Sequence, residues 1–82
     1  MPPLDKLIER IKRRPPEADF DDVRALLEAF GWTLERTTGS HANFTKPGER
    51  TQTVPLVEGR KVKRYILDQI IERLGLDEEK DR

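Results

Sequence analysis

The sequence predicts an α+β fold in the order α-α-β-β-β-α, with helices covering one face of a three-stranded antiparallel sheet. Apolar residues recur at helical spacing before residue 31 and after residue 60, and they alternate with polar residues between residues 32 and 54. Glycines stand where these patterns change. Because three short strands are not stable alone, we expect the helices to pack on one side of the sheet.

The composition is that of one small domain with an ionic surface. Of the 82 residues, 34% are apolar and 39% are charged, so the core must be small. The chain contains no cysteine, which excludes disulfides, thiolate metal sites and cysteine nucleophiles. The N-terminus lacks the apolar run of a signal peptide, and no segment is long enough to span a membrane. We therefore expect a cytoplasmic protein.

Three segments are predicted along the chain. Residues 1–16 form an N-terminal helix that ends at Pro15–Pro16, because proline cannot donate the next helical hydrogen bond. Residues 17–76 form the main domain, and residues 77–82 are a charged tail that is expected to fray. The stripe of the first helix consists of Leu4, Leu7, Ile8 and Ile11.

The second helix is predicted to begin after Asp19, a favourable N-cap residue. Asp21 and Asp22 then lie in its first turn, where acidic side chains are stabilised by the helix dipole. Gly31 is expected to end the helix in a left-handed conformation. The apolar face of this helix consists of Phe20, Val23, Leu26, Leu27 and Phe30.

Alternating residues predict the three strands. The first strand runs from Trp32 to Thr37 and ends at the turn Thr38–Ser40, the second runs from His41 to Thr45, and the third from Thr51 to Val54. Strict alternation in the first strand puts Arg36 on the same side as Leu34. In the second strand, pointing Ala42 and Phe44 into the core leaves His41, Asn43 and Thr45 on the uncovered face.

A long apolar stripe predicts the last helix. Val62, Ile66, Ile70 and Leu74 recur at helical spacing between Lys61 and Leu74, and Gly75 is expected to end the helix. Lys61, Lys63 and Arg64 then fall in the first turn, where the helix dipole disfavours cations. This placement indicates an external anion such as phosphate, although solvated surface charge is the simpler alternative.

Basic residues are concentrated in the middle of the chain. Residues 32–65 carry seven basic and three acidic side chains, whereas both flanking segments are net acidic. This distribution is typical of a surface that faces an anion. An ordinary surface of mixed charge accounts for the counts equally well.

His41 is the only histidine in the chain. A histidine can give and take protons near neutral pH, and its position at the mouth of a tight turn indicates proton chemistry there. The alternative is a turn histidine with a structural role alone. One histidine and scattered carboxylates form no recognisable metal-ligand pattern, so neither a metal nor another cofactor is predicted.

Several motifs resemble those of the HicA toxins. The resemblance spans roughly residues 20–76, and the order of aromatic-Gly-aromatic, arginine and Gly-Ser-His is fairly specific. Many members place a second histidine where this chain has Leu56–Val57. The residues that carry the resemblance are Phe30–Gly31–Trp32, Arg36, Gly39–Ser40–His41, Phe44, Thr53–Val54–Pro55 and the helix 66–76.

This resemblance implies a fold like that of a small double-stranded-RNA-binding domain. It also implies the toxin of a type II toxin–antitoxin system: an mRNA interferase inhibited by a HicB-like antitoxin and, when free, a monomer or weak homodimer. His41 would act as general acid/base in a metal-independent cleavage, with Ser40 and Gly39 in supporting roles. The residues expected to bind RNA are Arg36, Lys46, Arg60, Lys61, Lys63, Arg64 and Tyr65.

The proton donor for the leaving 5′-oxygen stays open at this point. Lys46, Lys61, Tyr65, water or His41 itself could supply that proton.

Two other functional classes are also compatible with the sequence. One is an RNA-binding module that uses the same basic face without catalysis, and the other is a protein-interaction domain that binds no nucleic acid.

Overall fold

A computed structural model describes residues 3–76 and confirms the α+β class. The predicted tail, residues 77–82, lies outside the described part. None of the described helices is long and apolar enough to cross a membrane. The elements are α1 (Leu4–Lys12), β1 (Glu17–Asp19), α2 (Phe20–Ala29), β2 (Thr33–Thr38), β3 (His41–Thr45), β4 (Gln52–Pro55), β5 (Lys61–Lys63) and α3 (Arg64–Leu74).

The central unit is the order α2-β2-β3-β4-α3, as in the fold that the HicA resemblance implies. β2, β3 and β4 form the predicted antiparallel sheet, with β3 in the middle. Gly31 and Gly75 adopt positive φ where α2 and α3 end, as predicted. Strands β2 and β4 each begin and end one residue later than the alternation predicted.

One core joins the sheet to all three helices. Phe44 and Ala42 of β3 are fully buried, and Ile11 of α1 belongs to the same cluster. Helix α1 is therefore an integral part of the packed structure. An ion pair of Arg10 with Asp22 (2.9 Å) joins α1 to α2, and an ion pair of Arg14 with Asp68 (2.7 Å) joins the segment after α1 to α3.

The sequence missed a second, two-stranded sheet. Residues 61–63, predicted as the start of the last helix, form β5 and pair antiparallel with β1. Val62 and Ala18 lie opposite each other with buried side chains, while the residues on either side are more exposed. This alternation suits a half-buried strand, so the last helix begins only at Arg64.

Candidate functional site

The side of the three-stranded sheet away from the core is uncovered by any described element, and we call it the open face. The burial of β3 alternates as predicted: Ala42 and Phe44 point inward, and His41 is exposed. Because directly paired residues share a face, the register extends the open face to both neighbouring strands. Its side chains are Thr33, Glu35, Arg36, Thr38, His41, Asn43, Thr45, Thr53 and Pro55.

A β-bulge places Arg36 on the open face. Leu34 pairs with Phe44, but Arg36 pairs with Asn43, so Glu35 is an extra residue in β2. Strict alternation had put Arg36 on the side of Leu34, and that prediction is wrong because the bulge shifts the register. Among residues 3–76, the Arg36 guanidinium has no hydrogen-bonding or ion-pair partner. Its cation lies on the same face as His41.

The turn before β3 sets the position of His41. Thr38 pairs with His41 across a two-residue connection, Gly39–Ser40, and only Gly39 has a positive φ, of 60°. Glycine in the first of two loop positions is the pattern of a type II′ hairpin turn, which suits the twist of the strands. The Ser40 carbonyl accepts a 2.7 Å hydrogen bond from the Leu56 N–H, which ties the turn to the end of β4.

The imidazole of His41 projects from the first residue of β3. Thr38 and Pro55 are its direct neighbours on the adjacent strands, and Arg36 is a diagonal neighbour. Diagonal positions on neighbouring strands are about 7–8 Å apart, so a phosphate between them reaches both side chains. No described side chain hydrogen-bonds to the imidazole. Both ring nitrogens are therefore without a competing partner among residues 3–76.

Lys46 lies at the other end of β3. It is five residues from His41, about 16 Å along an extended strand. Its Nζ donates a 2.9 Å hydrogen bond to the Phe30 carbonyl at the end of α2, where a cation is favoured by the helix dipole. The lysine stem also passes close to Gly31, where an added Cβ would lie 3.3 Å from Lys46 Cε. The structure therefore gives Lys46 a role in closing α2 and does not bring it to His41.

Three other predicted cations form a ladder of ion pairs with acidic residues. We define the charge ladder as Lys63 with Glu17, Lys61 with Asp19, and Arg60 with Asp21. The first and last pairs have N–O separations of 3.5 and 3.6 Å. The guanidinium of Arg60 also lies 5.1 Å from the centroid of the Phe20 ring. These cations are compensated within the fold, so they are weaker candidates for RNA phosphate than Arg36.

Arg64 and Tyr65 begin α3. The Arg64 Nε donates a 2.8 Å hydrogen bond to the Arg14 carbonyl, which connects α3 to the segment after α1. Tyr65 is exposed, at 59% of its reference surface, and its hydroxyl makes no hydrogen bond within the described residues. Neither residue belongs to the open face.

The ladder makes a prediction about pH. The Lys61 ammonium, which donates a hydrogen bond to Asp19, lowers the pKa of that carboxyl, and Asp19 in turn raises the pKa of Lys61. A carboxyl with a lowered pKa stabilises the fold above its unfolded pKa, and this contribution is lost as pH falls through the folded value. We expect Asp19→Asn to lower the melting temperature at pH 7 and to have progressively less effect below about pH 4.

The control for this prediction is the Lys61→Met background. There the pair no longer exists, so Asp19→Asn is expected to change the melting temperature little at either pH. If Asp19→Asn lowered the melting temperature by the same amount at pH 7 and well below pH 4, the stabilisation could not come from the ionised Asp19 carboxyl.

The open face also holds a side-chain pair that was not nominated from the sequence. The Thr53 hydroxyl donates a 3.0 Å hydrogen bond to Oδ1 of Asn43, beside His41. Alternation had placed Asn43 on this face, but the pairing with Thr53 depends on the register between β3 and β4. Within the described range, no three His, Asp or Glu side chains are grouped so as to hold a metal ion.

A comparison with family models identifies the chain. The model described as "HicA toxin of bacterial toxin-antitoxin" matches residues 20–76. This range contains α2 to α3, including His41 and Arg36. Comparisons with curated proteins and with solved structures found no match. Because the matched range covers more than half of the 82 residues, the chain belongs to the HicA toxin family.

Proposed function

We propose that this protein is a metal-independent endoribonuclease that cleaves mRNA at the open face, with His41 as the general acid/base. The family consists of toxins of toxin–antitoxin systems, which are generally ribonucleases. The observation that carries the proposal is the exposed imidazole of His41 beside the cation of Arg36, neither of which has a side-chain partner within residues 3–76. Cleavage of RNA by its own 2′-hydroxyl is accelerated by a group that transfers protons and by a cation that binds the phosphate, and these two residues can supply both.

The proposed reaction is an internal transesterification. His41 removes the proton from a ribose 2′-hydroxyl, and the 2′-oxygen attacks the adjacent phosphorus. The bond from phosphorus to the 5′-oxygen then breaks, which leaves a 2′,3′-cyclic phosphate and a 5′-hydroxyl. Arg36 stabilises the additional negative charge on the phosphoryl oxygens of the transition state.

The leaving 5′-oxygen must receive a proton. Of the groups considered from the sequence, Lys46 is bound to the Phe30 carbonyl, Lys61 to Asp19, and Tyr65 lies on α3 away from the open face. These placements favour the two remaining sources. In the proposal, imidazolium formed at His41 returns the proton, either directly or through one water molecule.

The proposed partner is a HicB-like antitoxin that covers the open face. Acidic side chains that approach Arg36 would compete with the RNA phosphate for the same cation. We further propose that the toxin acts in the cytoplasm, where mRNA is present, and that it is a monomer or weak homodimer when free of its antitoxin.

Because the open face would hold RNA through its phosphates, we expect the affinity for RNA to fall with increasing salt concentration.

The chemistry of the cleaved ends tests the proposal. We expect the purified protein to cleave RNA in the presence of EDTA and to leave 2′,3′-cyclic phosphate and 5′-hydroxyl ends. A single 2′-deoxynucleotide at the cleavage position should abolish cleavage there, because the nucleophile is missing. Cleavage at the deoxy position, or products with a 3′-hydroxyl, would contradict the mechanism. Salt-dependent RNA binding without cleavage would favour the RNA-binding module.

A further inference from the structure

Asn43 occupies the centre of the open face. It follows His41 by two residues on β3 and therefore projects from the same side of the sheet. The spacing of the strand places the two side chains about 7 Å apart at their bases. Arg36 lies opposite Asn43 on β2, and Thr53 lies opposite it on β4. Asn43 is thus a neighbour of both Arg36 and the proposed acid/base, His41.

The hydrogen bond with Thr53 determines which end of the Asn43 amide is available. Thr53 Oγ1 donates to Asn43 Oδ1 at 3.0 Å, so the amide oxygen already has a partner. The amide nitrogen carries two donors, and within residues 3–76 neither has an acceptor. The side chain therefore offers donors alone to a ligand on the open face.

A phosphate oxygen is the ligand that fits this arrangement. It carries negative charge and can accept hydrogen bonds from both the Asn43 amide and the Arg36 guanidinium, which project from paired positions of the same face. The Thr53 hydrogen bond fixes the amide before the ligand arrives, which reduces the ordering cost of binding. Two adjacent strands thus provide a preformed donor next to His41.

We propose that Asn43 contacts the substrate by donating from Nδ2 to a non-bridging oxygen of the phosphodiester that is cleaved beside His41. Thr53 is a positioning residue that holds the Asn43 amide in the required orientation. This inference rests on the proposed ribonuclease function and adds to it two residues, on β3 and β4, that complete the phosphate site.

Three substitutions test the two roles. Asn43→Leu removes the donors at similar volume, and we expect kcat/KM for RNA cleavage to fall about 10- to 100-fold. Thr53→Val removes the hydroxyl alone and should lower kcat/KM less, by about 10-fold or below. Thr53→Ser keeps the hydroxyl and should restore most of the lost activity. The melting temperature of each variant is measured to show that the fold is intact.

Thr37→Val is the matched control for Thr53→Val. Thr37 is also exposed but pairs with Ala42, so it projects from the other side of the sheet. The same change of hydroxyl to methyl at this position is expected to leave cleavage unchanged. Loss of activity in this control comparable to that in Thr53→Val would overturn the positioning role.

Sulfur substitution at the cleaved phosphate identifies the atom that Asn43 contacts. For the wild-type protein, replacing one non-bridging oxygen with sulfur should slow cleavage in one of the two diastereomers, because sulfur is a weaker acceptor. In Asn43→Leu that difference should shrink or disappear. An unchanged sulfur effect in Asn43→Leu, with lower activity on some RNA sequences only, would show a base contact and overturn the phosphate assignment.

His41→Ala separates failure of this inference from failure of the proposed function. If His41→Ala cleaves like the wild type, the ribonuclease proposal fails. If His41→Ala is inactive while Asn43→Leu and Thr53→Val match the Thr37→Val control, only the present inference fails. It is supported if Asn43→Leu and Thr53→Val lose activity, Thr53→Ser recovers it and the sulfur effect depends on Asn43.

Discussion

His41→Ala is expected to lower the rate of RNA cleavage by about 10²–10⁴-fold, the range that general acid/base catalysis by a positioned side chain supplies. The imidazole is exposed and makes no hydrogen bond with the described residues, so its removal should change the free energy of unfolding by about 0.5 kcal/mol or less. RNA affinity should fall far less than the rate. The measurements are single-turnover cleavage, RNA binding and thermal unfolding on the same preparation.

Thr37→Ala provides the comparison for this variant, because it also truncates an exposed residue of the sheet but on the other face. It is expected to cleave like the wild type. Undiminished cleavage by His41→Ala would remove the catalytic assignment. Loss of the cooperative melting transition would instead assign His41 a structural role in the turn.

Arg36→Gln is expected to lower kcat/KM about 10²- to 10³-fold, the usual effect of removing one group that stabilises charge in a transition state. No acidic side chain in the described range neutralises this cation, so its full charge is available to the phosphate. The slope of log Kd against log salt concentration should also decrease by about one, because one phosphate contact is lost. Cleavage assays and salt-dependent binding measure the two effects.

Arg24→Gln is the matched control for Arg36→Gln. Arg24 lies on α2 and is paired with Glu28 at 2.9 Å. The substitution therefore removes the same formal charge as Arg36→Gln, but away from the open face. We expect it to alter neither the cleavage rate nor the salt slope appreciably. Equal effects from the two variants would mean that net charge, and not the position of Arg36, governs RNA binding.

Local patterns were sufficient to predict the elements near the site. The spacing of apolar residues located α2, and the alternation of Ala42 and Phe44 oriented β3 correctly. Those signals depend on residues within one element. The orientation of His41 could therefore be predicted from the sequence, because a strand with one buried face has only one satisfactory register.

The contacts that the sequence did not reveal join residues far apart in the chain. Lys63 pairs with Glu17 across 46 positions, and no local pattern distinguishes such a paired lysine from a solvated one. In retrospect, a buried alanine flanked by acids at 17–19 matches a buried valine flanked by lysines at 61–63. This complementarity was the available signal for the second sheet.

The β-bulge in β2 is the other feature that alternation could not supply. One extra residue, Glu35, reverses the face of every residue that follows it, and Arg36 moves from the core side to the open face. A register shift depends on how β2 and β3 pair, and pattern counting treats each strand alone. The composition of the site thus depends on the register of three strands.

An NMR titration of the single histidine tests most directly whether RNA phosphate binds at the open face. Because the chain contains one histidine, its ring protons give one assignable set of signals. We predict that an uncleavable 2′-deoxy oligonucleotide shifts these signals in proportion to binding, and that added salt reverses the shift. Saturable binding of the oligonucleotide that leaves the His41 ring signals unmoved would contradict the proposed site.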